Sequence, residues 1–150
     1  MGVFFRIVVR ILVIAACLAS AAVAYGRNEQ QPRSIKDALA DQSAGAIDPE
    51  ISLYFGDNAA AKVQKALSDV LVSRKAHAFL RSDETACRKA FLSALLTLQA
   101  AAHAAGVNAV INIKSNYQQH ESSSETDDIC GSGGVVAGVV LRGTLAQVGK

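Results

Sequence analysis

Residues 82–106 read Ser-Asp-Glu-Thr-Ala-Cys-Arg-Lys-Ala-Phe-Leu-Ser-Ala-Leu-Leu-Thr-Leu-Gln-Ala-Ala-Ala-His-Ala-Ala-Gly, and they carry both a start and a stop for one long helix. Ser82 is a good N-cap, because its hydroxyl can accept an otherwise unpaired N–H of the first turn. Asp83 and Glu84 place negative charge where the helix dipole favours it. Gly106 supplies the left-handed position at which helices commonly end. Between them Cys87, Ala90, Phe91, Ala94, Leu95, Leu98, Ala101, Ala102 and Ala105 recur at spacings of three and four, which draws one wide apolar face. Its alanines keep that face thin, so a helix over 83–105 can lie close against a sheet.

The flanking segments supply the sheet. Downstream, Val107, Ala109, Ile111 and Ile113 alternate with Asn108, Asn112 and Lys114, the pattern of a half-buried strand with its polar side outward. A polar stretch, 118–128, precedes Ile129-Cys130 and the glycines Gly131 to Gly134, which read as a bulge or turn. Residues 135–145 form the final strand, so 107–145 is a long-looped hairpin. Upstream, 67–75 is a strand, and 51–55 is another, stopped by Gly56-Asp57-Asn58. Ser34 caps a brief helix with Asp37 at its third position. The fold class is α+β: one long helix packed on a small, mainly antiparallel sheet, with a strand-helix-strand-strand core in a single domain over 34–150.

The first 24 residues read as an export signal. Arg6 and Arg10 accompany an apolar run that closes with Ala22-Val23-Ala24, a small-x-small pattern suited to signal peptidase. Arg10 cuts the uncharged run short of the roughly 20 residues a membrane-spanning helix needs. Two other readings of the segment remain: a retained anchor, and a lipobox at Ile14-Ala15-Ala16-Cys17 that would leave a lipid on Cys17. Residues 25–33 are polar, with Pro32, and read as a flexible leader.

Cleavage after Ala24 changes the composition. Loss of Arg6 and Arg10 from the 15 basic residues leaves 13 against 13 acids. A neutral domain offers no clustered positive charge for nucleic acid. Cys17 leaves with the signal, and the remaining Cys87 and Cys130 are an even pair in an exported chain, where oxidising compartments favour bridging. A Cys87–Cys130 disulfide is expected. The core, without tryptophan, is built from Ala, Val, Leu and Ile.

Several stretches resemble a family of small exported bacterial proteins labelled excinuclease ATPase subunit-like. They are Gly106-Val-Asn-Ala-Val-Ile-Asn-Ile-Lys-Ser-Asn-Tyr after the helix, Tyr54-Phe-Gly-Asp, Ser73-Arg-Lys, Ser82-Asp-Glu-Thr-Ala-Cys, Ala90-Phe-Leu-Ser-Ala-Leu and the late Val-Ala-Gly-Val-Val-Leu. The resemblance covers about residues 35–147. More distantly the chain is similar to the YbjQ-type domain and to the lipoprotein sensor of the Rcs envelope-stress system. The family label implies nucleotide hydrolysis, but the phosphate-cradling run G-x-x-x-x-G-K-[ST] is absent, and Gly131-Ser-Gly-Gly-Val-Val-Ala-Gly lacks the lysine.

Three sets of side chains are candidates for function. Asn108, Asn112 and Asn116, joined by Lys114, repeat along the polar side of the 107–117 strand, where amides can bind sugars or peptides. His120, Glu121, Glu125, Asp127 and Asp128 offer oxygen and nitrogen ligands to a divalent cation, without the EF-hand order. His77, His103 and His120 lack the short paired spacings that zinc sites use. No catalytic residue is named and no cofactor is called for. The expected function is a non-enzymatic binding or interaction module of the periplasm, with an envelope protein or small ligand as partner; a metal-binding protein or small hydrolase is the alternative. Membrane contact is expected only through a lipid on Cys17.

Overall fold

The structure, a computed structural model, describes residues 28–41, 45–58 and 62–149. The signal, the lipobox and the start of the leader lie outside them. Among the described residues seven strands form one sheet: β1 (Glu29–Ser34), β2 (Ser52–Phe55), β3 (Val63–His77), β4 (Ala109–Tyr117), β5 (His120–Ser122), β6 (Asp127–Ser132) and β7 (Val136–Val148). Two helices among those residues accompany it, the short α1 (Ile35–Leu39) and the long α2 (Asp83–Ala104).

Helix α2 ends where its sequence says it should. The Ser82 Oγ accepts the Thr85 N–H at 3.2 Å. At the other end Gly106 has φ +69°, and the N–H groups of Gly106 and Val107 donate to the carbonyls of His103 and Ala102, a Schellman ending. Ala86, Ala90 and Ala94, one turn apart, are fully buried, and Phe91, Leu95 and Leu98 fill the space around them. This face packs on Val72, Val110, Ile113, Val139 and Leu141 of the sheet. Gly143 of β7 makes room for Val110 of the neighbouring strand in this layer, since a Cβ there would come within 2.6 Å of Val110 Cγ1.

Strand β7 organises the sheet. Along one edge it pairs antiparallel with β3, from Val63 opposite Val148 to His77 opposite Val136. Along the other it pairs antiparallel with β6 near its start and with β4 near its end. β1 adds to β6, β5 folds back on β4, and β2 is the one parallel partner, also on β4. Cys87 and Cys130 are bonded, with Cα atoms 5.9 Å apart, and this ties the first turn of α2 to β6.

Four expectations need correction. Residues 29–33, read as flexible leader, are a strand: Glu29 to Ser34 run opposite Ser132 to Asp127, and β-pairing satisfies a backbone that side-chain polarity alone leaves unassigned. Cys130 lies within β6, not in a loop, and the polar 118–128 stretch contains β5 and the start of β6. β3 starts at Val63 rather than at residue 67, because two bulges break its alternation at its N-terminal end. β4 is not half-buried along its length. Val110 and Ile113 join the helix-facing core, while Ala109 and Ile111 form a second apolar cluster with Ala146 and Val148.

Candidate functional site

β4 also changes register along its length. Asn112 adopts φ +52°, and the β4–β7 register skips between Ile111 and Lys114, a bulge that reverses the alternation from that point on. The face proposed for Asn108, Asn112, Lys114 and Asn116 is therefore split. Asn108 is committed to the backbone: its Nδ2 donates to the Val148 carbonyl at 3.0 Å and its Oδ1 accepts the Val148 N–H at 2.9 Å. Asn112 occupies the bulge. Lys114 and Asn116 lie beyond it, and the skip puts them on the same face as Ala109 and Ile111.

Lys114 belongs to a charged network on the outer side of the sheet, opposite α2. Its Nζ is 2.6 Å from Asp57 and 3.6 Å from Glu121, and Glu121 also reaches Arg142 at 3.4 Å. Nearby the Thr144 hydroxyl donates to Asp69 at 2.6 Å. The Lys114 hydrogen bond, with help from Ser123, holds the Asp57 carboxyl below its usual range, and Asp57 raises the lysine. These charges satisfy one another.

Beside this network a groove of about 350 Å³ opens on the same side of the sheet. Its floor is a row of residues set directly across three strands: Gly131 of β6 opposite Gly138 of β7, and Gly138 opposite Lys75 of β3. The Tyr117 ring lies over Gly131, where any Cβ would overlap its hydroxyl and ring. The Tyr117 hydroxyl donates to Asn28 at 3.1 Å. Val136, Val140 and Ser73 complete the lining. Gly131 thus lies within β6 on the floor of the groove, while Gly133 and Gly134 form the β6–β7 turn that the glycine run was read as.

At the Val136 end the groove meets an apolar tip. The Ala78 N–H donates to the Val135 carbonyl at 2.8 Å, which sets the β3–α2 connection beside the β6–β7 turn. Phe79, Leu80 and Val135 are 65%, 90% and 61% exposed there, and Leu80 holds φ +59°. Single exposed apolar residues are ordinary, but adjoining ones mark an interaction surface.

A second site lies on the helix side of the sheet, at the margin where β1, β6, α1 and α2 meet. A pocket of about 250 Å³ is lined by Arg33, Asp37, Glu84, Arg88 and Asp128, with Pro32, Ser34 and Ala38. Asp128 is 3% exposed. Burial, opposed by a backbone hydrogen bond and the Arg33 charge, pushes its carboxyl up to about 7. Its Oδ2 and the Arg33 Nε are both buried without a hydrogen-bond partner. Arg88 is engaged by Asp41 at 3.3 Å and Glu84 at 2.8 Å.

The proposed cation ligands are dispersed. His120 and Glu121 sit on β5, Glu125 accepts from Asn58, Asp127 accepts from the Thr126 hydroxyl, and Asp128 is buried in the second pocket. Among the described residues no group of three or more His, Cys, Asp or Glu is placed to hold a metal ion. The three histidines lie on different elements: His77 on β3, His103 on α2 and His120 on β5. His103 Nε2 is 2.5 Å from Asp48 Oδ2, and that hydrogen bond lowers the Asp48 carboxyl. Among the described residues no helix is long and apolar enough to cross a membrane. No family model, curated protein or solved structure matches the chain.

Proposed function

We propose that this protein is a non-enzymatic binding module of the bacterial cell envelope that docks a partner protein on the apolar end of its sheet. The observation that carries the reading is the tip of Phe79, Leu80 and Val135, exposed together beside a glycine-floored groove. Two features add to it. Among the described residues β3 pairs only with β7, so its other edge offers N–H and C=O groups to an added strand. The Cys87–Cys130 bridge suits an oxidising compartment, in agreement with the export signal read over residues 1–24. The sequence resemblance to the Rcs stress-sensor lipoprotein points the same way, toward interaction rather than catalysis.

Photo-crosslinking in intact cells tests this. A crosslinking amino acid at position 79 or 80 is expected to trap discrete protein adducts, and one at exposed Lys89 on α2 is not. Labelling no stronger at the tip than at Lys89, or lipid adducts in place of protein, would overturn the proposal.

A further inference from the structure

We infer that the outer edge of β3 pairs with the same edge of a second copy of this chain, antiparallel about a twofold axis at Val72, so that two sheets join into one. This gives the open edge its occupant and does not depend on what docks at the apolar tip. Among the described residues β3 pairs only with β7. Register shifts break its first half, between Val63 and Asp69, but Asp69 to His77 run opposite Thr144 to Val136 without a skip. That stretch holds no proline, no glycine and no residue of positive φ. A long regular edge of this kind is a template for another strand, and proteins that stay monomeric usually blunt it.

One bond shows which backbone groups point outward. The Ala78 N–H donates to the Val135 carbonyl in the same register as the ladder that precedes it. Bonded pairs alternate along an antiparallel ladder, so Ala76, Arg74, Val72 and Val70 turn their N–H and C=O groups to β7. His77, Lys75, Ser73, Leu71 and Asp69 turn theirs out. In agreement, the Ser73 carbonyl accepts the Arg74 Nη1 at 2.9 Å, a stopgap donor that an arriving strand replaces.

Charge selects a second copy as the occupant and fixes the register. With Val72 on the axis, Asp69 of one copy stands opposite Lys75 of the other, twice by symmetry, and Leu71, 58% exposed, stands opposite Ser73. These four residues are exposed and lie on the side of the sheet away from α2, since Val70, Val72 and Ala76 take the core side. Unlike charges set directly across a ladder stabilise it and like charges destabilise it. An axis at Leu71 would put Lys75 opposite Leu67, and one at Ser73 would put it opposite Leu71, so both lose the ion pairs. In the favoured register the outward groups of residues 69 to 75 make about eight backbone hydrogen bonds.

The test takes the oxidised protein alone through a concentration series, read by sedimentation and by amide hydrogen exchange. A dimer is expected, in which exchange at Leu71, Ser73 and Lys75 slows as concentration rises, while Val72 and Arg74, already bonded to β7, change less. Asp69→Lys or Lys75→Asp sets like charges opposite each other and should weaken the dimer at least about tenfold, and the double exchange should recover it. If a variant unfolds, the alternating protection of the unaltered protein still decides. A monomer at millimolar concentration, assemblies larger than a dimer, protection confined to Phe79 and Leu80, or a folded double variant as weak as the single ones would each overturn the inference. No partner protein is present, so a monomer here leaves crosslinks at the tip standing, and missing tip crosslinks leave the dimer standing.

Discussion

Asp128 shows how far one side chain departs from what its place in the sequence suggests. It closes a run of polar residues that reads as solvated loop, and in the fold it is 3% exposed with its carboxyl raised to about 7. Its burial comes from elements far away in the chain, β1 paired with β6 and the helices α1 and α2, and no local pattern encodes those contacts. The folded protein therefore holds a proton on Asp128 that the unfolded chain releases near pH 4. Its contribution to stability is full below pH 4, falls as the pH rises toward 7 and is gone above it, by up to about 4 kcal/mol. Asp48 and Asp57 have the opposite sign. Their lowered carboxyls stabilise at neutral pH, and that gain is lost on acidification below pH 4. Asp128→Asn, neutral and isosteric, is expected to flatten the melting temperature between pH 4 and 7 and to raise it at pH 8. An unchanged slope across that window in thermal melts would show that Asp128 is ionised in the fold.

Helix α2 is legible from end to end because everything that defines it is local: a cap, a dipole-compatible first turn, a repeating apolar face and a terminal glycine. Strands β3 and β4 are legible only in part. Their bulges reset the alternation, and a two-residue period cannot announce its own interruption. The asparagine face is divided for that reason: Asn112 and Lys114 line one pocket, while Asn108 is turned to the Val148 backbone. The apolar tip was hidden differently: Phe79 and Val135 are 56 positions apart in the chain, and the Ala78–Val135 backbone bond sets their segments side by side. For the helix, the thin alanine stripe carries a direct test. Ala94→Leu adds methylenes where the helix meets the sheet with no exposed surface, and overpacking of this kind costs about 1–3 kcal/mol. Lys89→Leu, on the exposed side, should stay within about 0.5 kcal/mol. Urea midpoints of the two variants measure the difference, and equal midpoints would place α2 farther from the sheet than its packing requires.

At the scale of the molecule the core lies between α2 and the strands β3, β7 and β4, while β6 and β1 form a margin beyond it. That margin carries both Asp128 and the glycine floor of the groove, and the Cys87–Cys130 bond anchors it to the helix. The cysteine pair was legible in the sequence; the strand it holds was not, because β6 gains its identity from partners on either side. Cross-linking residues 43 apart should stabilise the fold by about 4 kcal/mol in the chain-entropy model. Replacing both cysteines with serine is therefore expected to lower the unfolding free energy by about 2–5 kcal/mol. The loss has a location as well as a size. If the bond anchors the margin, amide exchange at Ile129 and Gly131 should accelerate more than exchange at Leu95, which the core still holds. Uniform acceleration across the chain would mean that the bridge acts only on the unfolded state, and that β1 and β6 keep their places on sheet pairing alone.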